Sequence, residues 1–271
     1  MQQFKTLIIA EYKKRKNAYW WPVWIVAGIT ALSLIALLIA WIIESPNIVM
    51  YNGVNGGDGN RIGMYGTMFG FGTIFWAFVA LMGQSSLNRE RQLGSDLFFR
   101  SQPVSFWKVT GAKYLMHLFG SSILLLGLGI IFSLILSIVA AITGDGFFLG
   151  QALWGCFLGW LTYLKVVVVF GSLCFLFSAI FKNNALLLGA AALGLLEGIL
   201  AIVEVIFRYK ISIPSVFVTL GKMVGSMGLD EIDEITFSIV MGDPKFLFGL
   251  LFAAICFVGS SYIYKIRAKD V

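Results

Sequence analysis

Six long apolar runs occupy most of this 271-residue chain and constrain its fold more than any other feature. A helix needs about 20 apolar residues to cross the hydrocarbon core of a bilayer, and each run is that long or close to it. The runs are Trp20–Ile43, Met64–Leu87, Tyr114–Ile142, Gln151–Phe181, Ala185–Phe207 and Phe246–Tyr264. Because they do not alternate as barrel strands would, the sequence predicts an all-α polytopic membrane protein with six transmembrane helices.

The composition agrees with a single transmembrane domain covering residues 1–271. Charged residues make up 13% of the chain, whereas soluble globular proteins carry about 25%. Only the segments 88–113 and 208–245 lie outside the runs in any length, so no soluble catalytic domain is predicted. Cys156, Cys174 and Cys256 lie inside apolar runs at spacings that match no metal motif, and we expect them to pack as small hydrophobic residues.

The distribution of lysine and arginine predicts the orientation. With an even number of spans both termini share a side, and most basic residues outside the runs fall on that side. The positive-inside rule then makes both termini cytoplasmic, in an inner or cell membrane of bacterial type. The net charge of +6 is assigned to contact with anionic lipid headgroups and not to nucleic acid.

Two shorter amphipathic segments accompany the spans. In residues 1–19, apolar side chains recur at helical spacing and lysines take the other faces, which predicts an interfacial helix on the inner leaflet. In the outer segment 208–245, the apolar stretch from Val216 to Met227 is too short to span and predicts a re-entrant or interfacial helix. Acidic residues at 230–234 then precede a second short helix, whose dipole they suit; a cation site is the alternative.

Three charged residues lie inside predicted spans, where charge is costly and should face protein or water. They are Lys165, Glu197 and Glu204. Lys165 and Glu197 lie at matching depths in successive spans, which predicts a buried ion pair, with Glu204 nearer the outer mouth. The pair either fixes helix packing or forms a polar patch on a substrate path.

Small residues recur four apart on three spans, which favours close helix packing within a bundle or a dimer. The pairs are Gly66 and Gly70, Gly155 and Gly159, and Gly194 and Gly198.

The segment 88–113 mixes charges with aromatic side chains and carries the most specific pattern in the chain. Its candidate docking residues are Arg89, Arg91, Asp96, Phe98, Phe99 and Arg100. Exposed aromatic residues of this kind suit either the membrane surface or a groove on a soluble partner.

This loop resembles the stretch between spans two and three of the type 2 ABC-transporter permeases. The matching residues are Arg91, Gly94, Phe99, Pro103, Val104, Ser105 and Lys113, with Phe99 in place of the usual Leu. The resemblance implies the permease subunit of an ATP-driven exporter, which dimerises with a second copy or a homologous permease. It also implies docking of a soluble nucleotide-binding ATPase subunit through this loop. In that family the second and fifth spans line the dimer interface, which favours a path role for Glu197 and Glu204.

No catalytic residue set and no metal site can be assembled from the sequence. His117 is the only histidine and has no Cys, Asp or Glu at ligand spacing. The chain carries no Walker sequence, so ATP and Mg²⁺ would be bound by the partner subunit. The alternative function is a stand-alone secondary transporter or channel that uses Lys165, Glu197 and Glu204. Such proteins are typically built from internal repeats, and none is clear here.

Overall fold

The computed structural model describes residues 2–44, 56–88, 105–143, 146–207, 215–225 and 237–267, and every regular element in these ranges is helical. The α-helices are α1 Gln2–Glu44, α2 Gly56–Gln84, α3 Phe106–Thr143, α4 Leu149–Val166, α5 Ser172–Ile180, α6 Ala185–Phe207, α7 Val216–Val224, α8 Phe237–Met241 and α9 Lys245–Arg267. A single turn of π-helix, Val167–Gly171, joins α4 to α5 and is called the π-turn below. The all-α prediction is confirmed for the described residues.

Five helical stretches are long and apolar enough to cross a membrane, which supports a multi-pass membrane protein. They are Arg61–Gln84, Phe106–Ile142, Leu149–Ile180, Ala185–Val203 and Lys245–Arg267. They coincide with five of the six predicted runs. The first run, Trp20–Ile43, lies within α1, where several side chains from position 34 onwards are outside the described part of the chain. The sixth span therefore stays a prediction.

Helix α1 is continuous from Gln2 to Glu44, whereas the sequence predicted a separate interfacial helix ahead of the first span. Glu11, Arg15 and Tyr19 recur every four residues on its buried face. This face lies against α2 and α3. Near its start, Phe4 lies 3.7 Å from the position that a Cβ would take at Gly111 of α3. The N-terminal part of α1 thus buries one face against α2 and α3.

The buried core falls into two main clusters. The first joins α1 to α4 and includes Val26, Met64, Phe75 and Leu125. The second joins α5, α6 and α7 through Leu173, Phe177, Ala185, Leu220 and Val224, and Phe252 of α9 packs against it. A smaller cluster sets Val240 of α8 against Leu158 and Leu161 of α4. The two short helices therefore attach to different clusters, α7 to the second and α8 to α4.

Helix α6 turns back along α5 through the connection Phe181–Asn184. Asn184 has φ 46°, in the left-handed region that asparagine tolerates better than most residues. The connection places the start of α6 beside the end of α5.

Candidate functional site

Lys165 holds the short helix α8 in place from inside the bundle. Its side chain is only 1% exposed, and its Nζ donates a hydrogen bond of 2.6 Å to the carbonyl oxygen of Val240. Val240 lies in the last turn of α8, where carbonyl groups lack helical partners and a cation is favoured by the helix dipole. The ammonium group also lies 5.7 Å from the centre of the Phe246 ring. Lys165 is therefore a C-terminal cap for a neighbouring helix.

Glu197 caps the other kind of helix end, the N-terminus of α7. Its Oε2 accepts a hydrogen bond of 2.9 Å from the backbone N–H of Val216, the first residue of that helix. The hydroxyl of Ser215 accepts a second bond, 3.4 Å long, from the N–H of Val218. A carboxylate at a helix N-terminus satisfies unpaired donors and matches the sign of the dipole. Because Glu197 lies midway along α6, the start of α7 lies beside the middle of that helix.

The predicted contact between Lys165 and Glu197 is thus replaced by two helix caps, on α8 and on α7. The error has a physical reason: residues at equal depth meet only when their helices are neighbours. Helix α4 packs chiefly on α2 and α3, while α6 packs chiefly on α5. The side chain of Glu204, the third predicted charge, lies outside the described residues.

Arg15 caps the end of α2 from the buried face of α1. Its Nη1 donates to the carbonyl oxygen of Met82 at 3.1 Å, and its Nη2 donates to that of Ser85 at 3.0 Å. Its Nε lies 3.7 Å from a carboxylate oxygen of Glu11, one helical turn earlier. One turn later, Tyr19 donates to the carbonyl oxygen of Met116 at 3.1 Å, and burial raises the pKa of the Tyr19 hydroxyl to about 12.

Arg267 caps the end of α5 in the same way. Its Nη1 donates to the carbonyl oxygens of Ala179, at 3.1 Å, and of Ile180. The basic residues were expected at the lipid headgroups, so the sequence predicted neither of these two caps. For Arg15 the sequence did contain a signal. Glu11, Arg15 and Tyr19 recur every four residues, and an acidic residue, a basic residue and an aromatic residue on one helix face indicate a face that contacts protein. For Arg267 the sequence offers no comparable signal.

The predicted docking residues Arg89, Arg91, Asp96, Phe98, Phe99 and Arg100 lie outside the described residues, as do Gly94, Pro103 and Val104. The structure describes the two ends of their loop. At the first end, Asn88 donates to the carbonyl oxygen of Gln84 at 3.0 Å, beside the cap from Arg15. At the second, the Nζ of Lys265 lies 5.1 Å from the ring centre of Phe106, and that of Lys113 lies 5.6 Å from the ring centre of Tyr264.

The six glycines singled out by their spacing behave in two ways. A Cβ at Gly159 would lie 2.6 Å from Cβ of Met68 and 3.0 Å from the carbonyl oxygen of Tyr65, both on α2. A Cβ at Gly155 would collide with the carbonyl oxygen of Arg61. For the other four, the described part of the chain places no atom within 4 Å of such a Cβ: they are Gly66, Gly70, Gly194 and Gly198. Of the three pairs, the α4 pair is the one at which two described helices approach closely.

A polar cluster that sequence analysis did not find surrounds the π-turn. The Nε2 of His117 donates to the carbonyl oxygen of Gly171 at 3.0 Å, which leaves Nδ1 buried without a hydrogen-bond partner among the described residues. Tyr114, one turn earlier on α3, bonds the hydroxyl of Ser172 at 2.6 Å. Within the described ranges, no group of three His, Cys, Asp or Glu residues could hold a metal ion. His117 therefore supports the backbone of the π-turn.

Comparison with protein-family models, with curated proteins and with solved structures finds no match for this chain. Four charged side chains cap the ends of four helices: Arg15 and Arg267 at one end of the bundle, and Lys165 and Glu197 deeper inside it.

Proposed function

We propose that this chain is the permease subunit of an ATP-driven ABC exporter. In this proposal it forms the translocation path as a dimer, with a second copy or a homologous permease. It couples to a separate, soluble nucleotide-binding ATPase subunit, which binds the ATP and Mg²⁺. The chain itself then acts as a transporter subunit and not as an enzyme.

The anchoring of both ends of the loop 88–113 is the observation that carries this proposal. Arg15 fixes the end of α2 just before the loop, and Lys113 and Lys265 lie over aromatic rings where α3 begins. A docking loop transmits motion only if rigid helices hold both of its ends. The capped end of α2 therefore supports a coupling role for the loop, which exposed aromatic residues alone would not.

The same end of the bundle supports the proposed orientation. Arg15, Lys108, Lys265 and Arg267 all lie on the side of the loop 88–113, and the positive-inside rule places such a side in the cytoplasm. Both termini are then cytoplasmic, in an inner or cell membrane of bacterial type, with anionic lipids near the basic residues. Six spans are required for this arrangement, with Trp20–Ile43 as the first.

On the opposite side, the proposal makes α7 and α8 short outer helices that re-enter the membrane. Glu197, midway along α6, caps the start of α7, and Lys165 caps the end of α8. Backbone ends at membrane depth need such partners, because lipid supplies none. The two caps therefore support helices that dip below the outer surface.

Dimerisation is supported by helix faces that the described residues leave uncovered. Gly66 and Gly70 on α2, and Gly194 and Gly198 on α6, have open space where a Cβ would stand. These are the second and fifth predicted spans, the two that the resembled family uses at its dimer interface.

The alternative function, a stand-alone secondary transporter or channel, uses Lys165, Glu197 and Glu204 as an ion path. The caps favour a structural role for the first two of these residues. The alternative then depends on Glu204, and it requires transport without a partner ATPase.

The decisive experiment purifies the full chain in mild detergent from its native host. The proposal requires co-purification of a protein with a Walker motif, and ATP hydrolysis that is lost on Arg91→Glu with the bundle still folded. Lys182→Glu makes the same charge change in another predicted cytoplasmic loop and should have no such effect. Recovery of the chain without an ATPase, together with transport by the chain alone in liposomes, would favour the alternative.

A further inference from the structure

The π-turn lies at the boundary between the two main clusters of the core. Val167, its first residue, belongs to the cluster formed by α1 to α4, and Val169, two residues later, belongs to the cluster formed by α5, α6 and α7. A break in the regular helix thus coincides with a change of packing partners, from the first cluster to the second. Single π-turns are rare and are often found at functional positions in helices.

Each half is held firmly on its own side of the turn. On the N-terminal side, α4 approaches α2 so closely that a Cβ at Gly159 would lie 2.6 Å from Met68. On the C-terminal side, Arg267 of α9 caps the end of α5, and a Cβ at Gly249 of α9 would lie 2.6 Å from the carbonyl oxygen of Met223 in α7. The first half is therefore α1 to α4, and the second is α5, α6, α7 and α9.

Side chains of α3 and α5 support the irregular backbone of the turn. The hydroxyl of Ser172 donates to the carbonyl oxygen of Val168. The hydroxyl of Tyr114 lies 2.6 Å from that of Ser172 and 3.4 Å from the carbonyl oxygen of Ala253 in α9. His117 donates to the carbonyl oxygen of Gly171. Ser172 and His117 therefore add side-chain hydrogen bonds to two carbonyl groups of the turn, those of Val168 and Gly171.

We propose that the π-turn is a joint about which the two halves of the bundle move relative to each other. The halves meet mainly at the end of the bundle that holds Arg15, where Leu87 is buried with Phe175 and Ala179 of α5 and Tyr264 of α9. A Cβ at Gly83 of α2 would lie 2.9 Å from Cβ of Cys174 in α5 there. This tight contact acts as a pivot, and the displacement is largest at the opposite end. Lys165, two residues before the turn, moves with the first half and carries α8 with it.

The proposal is tested by distance measurements between pairs of spin labels on the full chain in lipid nanodiscs. The three native cysteines are replaced by alanine, and labels are placed at the exposed positions Ile131 of α3 and Leu247 of α9, one in each half. The control pair, Ile131 and Leu32 of α1, lies within the first half. We expect the pair across the joint to give a distribution about twice as broad as the control, as sliding of packed helices would produce.

Deletion of Val168 should close the π-turn into regular α-helix, because a π-turn holds one more residue than an α-turn. The distribution across the joint should then narrow to the width of the control, while Val168→Ala, which keeps the chain length, should leave it broad. The joint does not exist if the wild-type pair is as narrow as the control, or if the deletion keeps the full width. Should the deletion variant not fold, Tyr114→Phe provides the second test. Loss of its hydrogen bonds to Ser172 and Ala253 must alter only the distribution across the joint, and no change would overturn the proposal.

Discussion

Two spans of similar composition have opposite surroundings in this bundle. Over an 18-residue segment of Leu149–Ile180 the mean hydropathy is 2.1 and 61% of the residues are buried, whereas over such a segment of Ala185–Val203 the mean hydropathy is 2.3 and 6% of the residues are buried. Both carry glycines four residues apart. The comparison teaches that apolar content and glycine spacing place a helix in the membrane without saying how much protein surrounds it.

The difference follows from which face of each helix meets a neighbour. Lipid tails are as apolar as leucine side chains, so moving a helix surface from lipid to protein gives little hydrophobic gain. Close packing of atoms therefore determines which helix faces associate. On α4, Gly155 and Gly159 face α2 and remove the atoms that would keep the helices apart. On α6, Gly194 and Gly198 face away from the chain.

Gly159→Leu is expected to have the largest effect. The new side chain would collide with Met68 and Tyr65, and overpacking of a close interface costs about 3 kcal/mol or less in most proteins. We expect a marked loss of monodisperse protein and a lower melting temperature by fluorescence-detected size-exclusion chromatography. Gly198→Leu makes the same change on the open helix. Equal losses from the two variants would break the comparison.

Lys165→Met should have the next largest effect, because it leaves the buried carbonyl of Val240 without its donor. An unsatisfied buried group costs about 1–3 kcal/mol. The loss should appear as faster amide hydrogen exchange in α8 and at the start of α9, with α4 itself still protected. Lys222→Met, on an exposed face of α7, is the matched control. Unchanged exchange in α8 would show that the cap contributes nothing.

Glu197→Gln should have a smaller effect on the fold, since the amide oxygen can still accept from the N–H of Val216. Only the charge at the helix N-terminus is lost, worth about 0.3–1 kcal/mol. Exchange at the start of α7 should rise slightly, and more in Glu197→Ala. If Glu197 also lines the transport path, transport will fall in the Gln variant while exchange in α7 stays near the wild-type rate.

Gly194→Leu should have the smallest effect on the protomer, within about 0.5 kcal/mol, as for most open surface positions. The variant tests whether a second copy of the chain covers the open face of α6, as α2 covers that of α4. If a second copy covers α6, the variant should shift the population from dimer to monomer in native mass spectrometry while the melting temperature of the monomer stays constant. An unchanged dimer population would place the interface elsewhere.

The long apolar runs predicted five of the spans because a helix in lipid needs apolar residues along its whole length. The hydrogen-bond partner of a single side chain has no such pattern in the sequence. Lys165 and Glu197 were correctly placed within helices, but each bonds a backbone group of a short helix that is distant in sequence. The π-turn has no sequence signature, since Val166–Val169 reads as ordinary apolar helix. The loop residues 89–104 and the side chain of Glu204 lie outside the described part of the chain.

The two arginine caps can form only in a fixed order during synthesis of the chain. Arg15 precedes the end of α2 in the chain, so it is already synthesised when Met82 and Ser85 emerge from the ribosome, and its bonds to them can form at once. Arg267 follows Ala179 by 88 residues. The carbonyl groups at the end of α5 therefore bond other donors until α9 has been synthesised and inserted. The first half of the bundle can mature during synthesis, and the second is completed only when α9 arrives.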